Sequence, residues 1–485
     1  MKEVIDRNWI NPDIQWYQYN HNKTERLTFT HKDIVEAIDH WKNVIVENCD
    51  WKPGARLATG AHLCDLRYLS LLFATLELGG ELIVLDKPVS AEQIDQVRCR
   101  VLAPFDLFVL DDNQDPITRL TAETYAKKSI PMNLWYTHSS PDCKYSNVDW
   151  AEPAGMMMAC TSSGSTGTPK PIEYSHEFIF NLAKRAERLF DLKPDDRVLH
   201  LTNLHHGGSS GFFFFPSLNG CKHHLFEFGL HANAEMRRQG MPDIIKTVQQ
   251  EKITKIIWPN NLALEHFISE VPRLEHDLDL YCLQANLKTW IPLVKRSNVR
   301  SITSIFGASE VLSPIFVNVI TRDTPDDHDV LNYGKLLDNF FEVEITEDQR
   351  FKVTNQWRGT YILNDHFEQD TNGDYHYVKR TDMMRINEVT LTFDACESIS
   401  RKHFGINNAY LIPDTLTNKI YLLVDDAFSS VIDEKLPFIN QALADINPIL
   451  KVDFVDHQPI MRFYDQIKFS YVWGKVHFRS KHKLI

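Results

Sequence analysis

A chain of 485 residues is too long for one ordinary core and long enough for two or three subdomains; 43% apolar and 24% charged residues describe a soluble globular protein. With 52 basic and 65 acidic residues the formal net charge is -13, which argues against nucleic acid as the main partner. The most apolar run, 69–85, is broken by Glu77, Gly79, Gly80 and Glu81, so no membrane span is expected. The first eight residues lack the apolar core of a secretory signal, and none of the eight cysteines forms a Cys-x-x-Cys pair. These features predict a cytoplasmic protein with reduced thiols.

In chain order, 27–41 opens with a β-type run and continues as an amphipathic helix that Thr30 is placed to cap. Residues 56–60 read as a strand, 66–78 as a helix and 81–86 as a second strand; a helix around Ile94 and a strand at 106–110 add another unit. Helices alternating with apolar strands predict parallel sheets with helical cover. The polar stretch 112–150 has few periodic segments and reads as a surface connection.

The stretch that organises the chain follows: Thr161-Ser-Ser-Gly-Ser-Thr-Gly-Thr-Pro-Lys170. A buried strand at 155–160 precedes it and helical spacing at 176–184 follows, which predicts strand–loop–helix. Hydroxyls, a lysine and backbone N–H groups freed by two glycines suit an anion, above all phosphate. A Ser/Gly linker has similar composition but seldom sits between strand and helix inside a domain. The Walker loop requires Gly-Lys-Ser/Thr, whereas Lys170 lies between Pro169 and Pro171, and no Gly-x-Gly-x-x-Gly is present.

Residues 197–201 read as a strand leading to Leu204-His-His-Gly-Gly-Ser-Ser-Gly-Phe-Phe-Phe-Phe-Pro216, which either floors an apolar cleft or forms a buried helix. Neither His205-His206 nor His223-His224 reads as a metal site, because adjacent strand residues face opposite ways and no carboxylate stands at ligand spacing. Residues 253–259 and 301–306 are strand-like, and the second runs into Gly307-Ala-Ser-Glu310, a carboxylate where parallel sheets bind ligands. Asp370-Thr-Asn-Gly-Asp374 signals a hairpin turn, and 375–382 leads into a smaller α+β tail.

Together these landmarks resemble the adenylate-forming enzymes, the superfamily of acyl-CoA synthetases, amino-acid adenylation domains and luciferases. The loop 161–170 resembles the family signature ending Thr-Gly-x-Pro-Lys, and Phe306-Gly-Ala-Ser-Glu310 is similar to Tyr-Gly-x-Thr-Glu. Asn332-Tyr-Gly-Lys335 resembles the Gly-Lys-Pro segment, and Leu78-Gly-Gly-Glu81 with the apolar run after it the early helix–strand unit. Asp365 falls where the Thr-Gly-Asp aspartate belongs, and Lys379-Arg-Thr-Asp382 stands for Gly-Arg-x-Asp at the hinge.

The resemblance implies an α/β fold with a large N-terminal domain of parallel-type sheets covered by helices, residues 1–381, and a small mobile α+β C-terminal domain, 382–485, joined by a hinge. It implies that a small carboxylic acid is activated with ATP and Mg²⁺ as acyl-adenylate, pyrophosphate leaving, and then passes to CoA or a phosphopantetheine carrier that is a separate partner. Ser162, Ser163, Ser165, Thr166 and Lys170, with Thr161, Gly164 and Gly167, then hold the departing phosphates. Glu310 and Thr166 hold the metal, Ser309 meets the α-phosphate, Phe306 stacks on adenine beside Ala285, Gly307 and Ala308, and Asp365 takes the ribose with Arg380 beside it. Lys468 or Lys475 supplies the lysine that reaches acid and α-phosphate, Lys468 fitting better the spacing after Pro459; His206 completes the catalytic candidates with Thr166 and Glu310.

Departures carry information too. Glu388 stands where the family has a glycine lining the tunnel for a pantetheine arm, and Lys379 and Asn364 replace glycines. An acyl acceptor other than a thiol, such as an amine, and a nucleotide-binding protein without catalysis are the competing readings. The segment around His205 lacks the aspartate that binds an α-ammonium, which favours an acid without one, its side chain lying among Phe212–Phe215, Trp258 and Leu283.

Overall fold

The structure is a computed structural model and describes residues 7–19, 26–60, 66–85, 104–110, 116–132, 156–162, 170–201, 220–226, 234–258 and, with short gaps, 267–457. The chain starts with strands β1 (Gln15–Tyr19) and β2 (Arg26–Thr30), helix α1 (His31–Asn48), β3 (Arg56–Thr59), helix α2 (Leu66–Glu77), β4 (Glu81–Val84) and β5 (Leu107–Leu110). Helix α3 (Pro116–Tyr125), β6 (Ser129–Pro131), β7 (Met156–Ser162), β8 (Lys170–Ser175), helix α4 (His176–Phe190), β9 (Arg197–His200) and β10 (Lys222–Phe226) follow. Next come helix α5 (Ala234–Gln250), β11 (Lys255–Trp258), β12 (Asp279–Leu283), helix α6 (Leu287–Arg296), β13 (Ser301–Phe306) and β14 (Phe316–Thr321). A smaller set follows: β15 (Glu342–Ile345), β16 (Arg350–Asn355), β17 (Gly359–Gln369), β18 (Tyr375–Arg380), β19 (Met383–Ile386) and β20 (Val389–Thr392). Helix α7 (Phe393–Phe404), β21 (Ala409–Asp414), β22 (Lys419–Val424), helix α8 (Ile432–Ile446) and β23 (Phe454–His457) are the last elements among the described residues.

Local sequence explains the helices that carry the core. Thr30 caps α1 in a reciprocal box: its hydroxyl accepts from Asp33 N, and its own N–H donates to Asp33 Oδ2 at 2.7 Å. Ile34, Ala37, Ile38, Trp41 and Ile45 then recur at helical spacing and are buried. Helix α2 stops at Gly79, whose φ of +65° is the left-handed value that ends a helix, and the N–H of Gly80 returns to Thr75 O at 2.9 Å. Gly80 itself lies against Trp51; a Cβ there would sit 2.3 Å from the indole.

Two large sheets face each other across this helical layer. One has strand order β6-β5-β3-β4-β7-β8, parallel apart from β8; the other runs β14-β13-β12-β11-β9-β10-β1-β2, parallel apart from its two edge strands. Trp16 of β1, Trp41 of α1, Phe73 of α2 and Phe178 of α4 share one core between the sheets, all 0% exposed. A second core covers the far face of the longer sheet with α5 and α6. A third joins β13 and β14 to the antiparallel sheet β15–β18, and residues 386–450 close a core of their own around α7, α8, β21 and β22. The architecture is α/β, with a large N-terminal domain and a smaller C-terminal one, as the resemblance implies. Among the described side chains, the thiols of Cys49, Cys221, Cys282 and Cys396 are free.

Two expectations need correction. The stretch 112–150 is not only surface connection: α3 and β6 lie within it, and α3 buries Thr118, Thr121 and Ala122 while Leu120 is 57% exposed. Its inward face is made of small and hydroxyl side chains, so hydrophobic periodicity does not report it. The phosphate stretch is not strand–loop–helix, because Lys170 opens a further strand, β8, antiparallel to β7. Ile172 and Tyr174 are buried and Glu173 is exposed, a period of two that 170–175 shows plainly once the prolines are allowed for. Pro171 is tolerated because β8 is the sheet edge. The helix around Ile94 lies outside the described residues.

Candidate active site

The longer sheet gathers the ends of four parallel strands along one edge. β13, β12, β11 and β9 are consecutive neighbours, with Ile305 opposite Leu283, Cys282 opposite Trp258, and Ile257 opposite His200. Each ends where the sequence places candidate residues: His200 before 202–219, Trp258 before 259–266, Leu283 before 284–286 and Phe306 before Gly307–Glu310. The carboxyl edge of a parallel sheet is where α/β proteins bind ligands, since the connecting loops of successive strands converge there.

In the other sheet, β7 runs parallel to β4 and turns back as β8, so that Ser162 stands directly opposite Lys170 and Thr161 opposite Pro171. Ser162 and Lys170, which flank residues 163–169, are therefore backbone partners in adjacent antiparallel strands. Helix α4 starts one strand later, its N-cap Ser175 taken up by Phe178 N at 3.2 Å. The six residues of β8 therefore separate the start of α4 from the hydroxyl-rich stretch. Ser163, Gly164, Ser165, Thr166 and Gly167 lie outside the described residues.

Phe306 ends β13 with 1% exposure, its ring packed by Phe367 at 4.9 Å, Tyr333 at 5.9 Å, Phe316 at 6.0 Å and Tyr377 at 6.3 Å. The sequence does not foretell this enclosure: the aromatic expected to stack on a base is covered on its flanks by four other rings. Gly307 and Ala308 follow, half-buried, and Ile315 N returns to Phe306 O at 2.9 Å, closing the loop at its base. Burial pushes the Tyr333 phenol up to about 12, with Asp365 among the smaller contributors.

Asp365 on β17 is 2% exposed, and its backbone is directly opposite that of Arg380 on β18. Asp365 lies two residues from Phe367, which touches Phe306, so these two candidates belong to one neighbourhood. Asn332-Tyr333-Gly334 is stitched to the start of β18 by Tyr333 N→Tyr375 O and Tyr375 N→Gly334 O, both 2.9 Å. His206, Ala285, Ser309, Glu310, Glu388, Lys468, Lys475 and Phe212–Phe215 lie outside the described residues. His223 and His224 face opposite sides of β10, against Trp16 and Tyr17 respectively, and among the described residues no group of His, Cys, Asp and Glu could hold a metal ion.

Sequence reading passes over Tyr333, Tyr377 and Arg185. The signal for Arg185 is present: an arginine on the stripe of α4 that buries Phe178, Ile179, Leu182 and Ala186. The tyrosines carry no such mark, because their partners come from other strands.

Four parallel strand ends lie side by side in one sheet, Ser162 and Lys170 are register partners in the other, and the buried Asp365 stands opposite Arg380 beside an aromatic cluster. The model of AMP-binding enzymes matches residues 24–357, more than half of the chain, and the chain belongs to that family. Among curated proteins, the non-ribosomal peptide synthetase CmlP of Streptomyces venezuelae is 39% identical over 72 residues, 14% of this chain and 7% of that protein. Cyclochlorotine synthetase of Talaromyces islandicus is 20% identical over 152 residues, 31% of this chain and 3% of that protein, so the chain spans a small part of both relatives.

The fold recurs in solved structures. A fatty acyl-adenylate ligase structure, from work on the E. coli and L. pneumophila enzymes, superposes with a TM-score of 0.68 at 12% identity, covering 97% of this chain and 96% of that one. McyG A-PCP complexed with phenylalanyl-adenylate gives 0.66 at 13%, covering 97% and 82%. ATP-bound MatB from Rhodopseudomonas palustris gives 0.63 at 15%, covering 93% and 95%.

Proposed function

We propose that this chain activates a small carboxylic acid as acyl-adenylate, releasing pyrophosphate from ATP, and passes the acyl group to a thiol of CoA or of a separate carrier protein. The observation that carries the reading is the β7–β8 register, which sets Ser162 against Lys170 on either side of residues 163–169. Cation and donors fixed there stabilise charge on departing phosphates at no reorganisation cost during reaction. Ser162, Ser163, Ser165, Thr166 and Lys170 take the β- and γ-phosphates; Glu310 and Thr166 offer oxygen ligands suited to Mg²⁺. Asp365 accepts from ribose hydroxyls beside Arg380, and the adenine lies at the Phe306 cluster, which requires one flanking ring to swing aside.

A carboxylate oxygen of the acid attacks the α-phosphorus, the bond from that phosphorus to the bridging oxygen breaks, and pyrophosphate departs. Lys468 or Lys475, on a small domain beginning at 382, neutralises the two anions as they approach; rotation of that domain then opens the adenylate to the acceptor. The similar folds of McyG A-PCP, complexed with phenylalanyl-adenylate, and of ATP-bound MatB support this scheme. The free described thiols support a reducing, cytoplasmic setting.

The test is pyrophosphate exchange into ATP across a panel of aryl, alkyl and keto acids. Exchange with a subset is expected, and ATP binding without exchange for any acid overturns the reading. A second reading, transfer to an amine without a thioester, is favoured by Glu388, a carboxylate where the pantetheine tunnel needs a glycine. Efficient acyl-CoA synthesis by the wild-type protein removes that alternative; a gain of CoA activity in Glu388→Gly supports it.

A further inference from the structure

Arg185 binds together segments far apart in sequence. It sits in the third turn of α4 with 8% exposure, and its guanidinium forks onto Asp338, Nε to Oδ2 at 2.6 Å and Nη2 to Oδ1 at 3.0 Å. Its remaining nitrogen, Nη1, donates to Pro314 O at 2.7 Å. The rings of Phe340 and Phe341 lie 4.9 and 5.5 Å from the guanidinium carbon. Asp338 in turn accepts from Phe340 N at 3.0 Å, and the Arg185 guanidinium helps to hold its carboxyl below the usual range against partial burial.

The three segments so joined are the ones that bracket the proposed nucleotide site. Helix α4 continues directly from β8, which Lys170 opens. Pro314 precedes Ile315, whose N–H closes the loop that begins at Phe306 and contains Glu310. Asp338 follows Gly334, and Leu337 N reaches Ile315 O at 3.5 Å. From Ser175 to Arg185 the helix is a rod of about 15 Å, so the arginine fixes where the hairpin stands relative to the loop after β13. A lysine cannot replace it, because one ammonium does not present two coplanar bonds to Asp338 and a third to Pro314 at once.

We propose that Arg185, locked by Asp338, is a positioning residue: it sets the gap between the Lys170 hairpin and the Phe306–Ile315 loop that ATP must span. It touches no substrate. This inference rests on the reading of those segments as the ATP site and deepens it by assigning the distance between them to one buried side chain.

The test compares equilibrium binding of ATP and AMP to the full chain for wild type, Arg185→Lys and Asp338→Asn. AMP engages only the Phe306–Asp365 side, whereas ATP needs both sides in register. Both variants are expected to bind ATP roughly tenfold or more weakly, since displacements near 1 Å are costly to aligned groups, while AMP affinity changes by no more than about twofold. Asp338 is 40% exposed, so Asp338→Asn keeps the arginine and the fold even if Arg185→Lys does not fold. Parallel loss of ATP and AMP, or loss of neither, overturns the proposal and leaves Arg185 a structural ion pair. Wild-type protein that binds neither nucleotide overturns the ATP-site reading itself.

Discussion

Acidification should loosen the large domain through two buried histidines, and the size of the effect follows from their surroundings. His224 is 0% exposed, packed on Tyr17 at 4.6 Å, and its Nδ1 is hydrogen-bonded to the Tyr19 hydroxyl at 2.9 Å. Burial, then the neighbouring His223 and the cations Arg197, Arg26 and Lys222, lower its pKa to about 3. His200 is 1% exposed and is likewise held well below the ordinary value, by burial first and then by His223 and His224. A histidine whose folded pKa is depressed binds its proton in the unfolded chain first, so stability falls as pH drops below about 6.5 and goes on falling to the folded value near 3. The slope is about 1.4 kcal/mol per pH unit between the two pKa values, giving about 2 kcal/mol for His224 between pH 7.5 and 5, with His200 acting in the same direction.

The assay is the denaturant midpoint of the unfolding step followed by tryptophan fluorescence, at pH 7.5 and at pH 5, in wild type and His224→Phe. Trp16, stacked at 5.4 Å on His223, reports the same core. Carboxylates titrate equally in both proteins and cancel in the comparison. The variant is expected to lose about 2 kcal/mol less than wild type over that interval; an identical pH dependence in the two proteins refutes the assignment of His224 as a buried neutral histidine.

Asp365→Asn removes a charge from a 2% exposed position opposite Arg380 while keeping its shape, and should weaken AMP binding by about tenfold, on the scale of a lost charge-assisted hydrogen bond; calorimetric titration checks it, and unchanged affinity excludes Asp365 from the ribose site. Gly80→Ala forces a Cβ to 2.3 Å from the Trp51 indole, which is 6% exposed and holds Leu78 O through its N–H at 3.0 Å, so a loss of about 1–3 kcal/mol is expected in urea unfolding.

Much of this protein is written locally. Thr30 and Asp33 announce the start of α1 because a capping box needs only residues three apart, and Gly79 announces the end of α2 because a left-handed residue is cheapest as glycine. Asp365 and Arg380 can be named from motif order, and the Asp370–Asp374 turn between their strands makes their pairing a local matter.

What only the tertiary structure decided involves partners distant in sequence. β1 lies parallel to β10, two hundred positions away, and completes the longer sheet; no periodicity in 15–19 names that neighbour. Lys170 opens an edge strand rather than preceding a helix, because pairing with β7 overrides the disfavour that two flanking prolines bring to a strand. The enclosure of Phe306 comes from rings on β14, β17, β18 and the 332–334 segment, and the role of Arg185 from acceptors about 130 and 150 residues downstream. Residue types fix which chemistry is available, since charge, hydroxyls and ring faces belong to single residues. Distance, exposure and register belong to pairs of segments, and only the packed chain brings those pairs together.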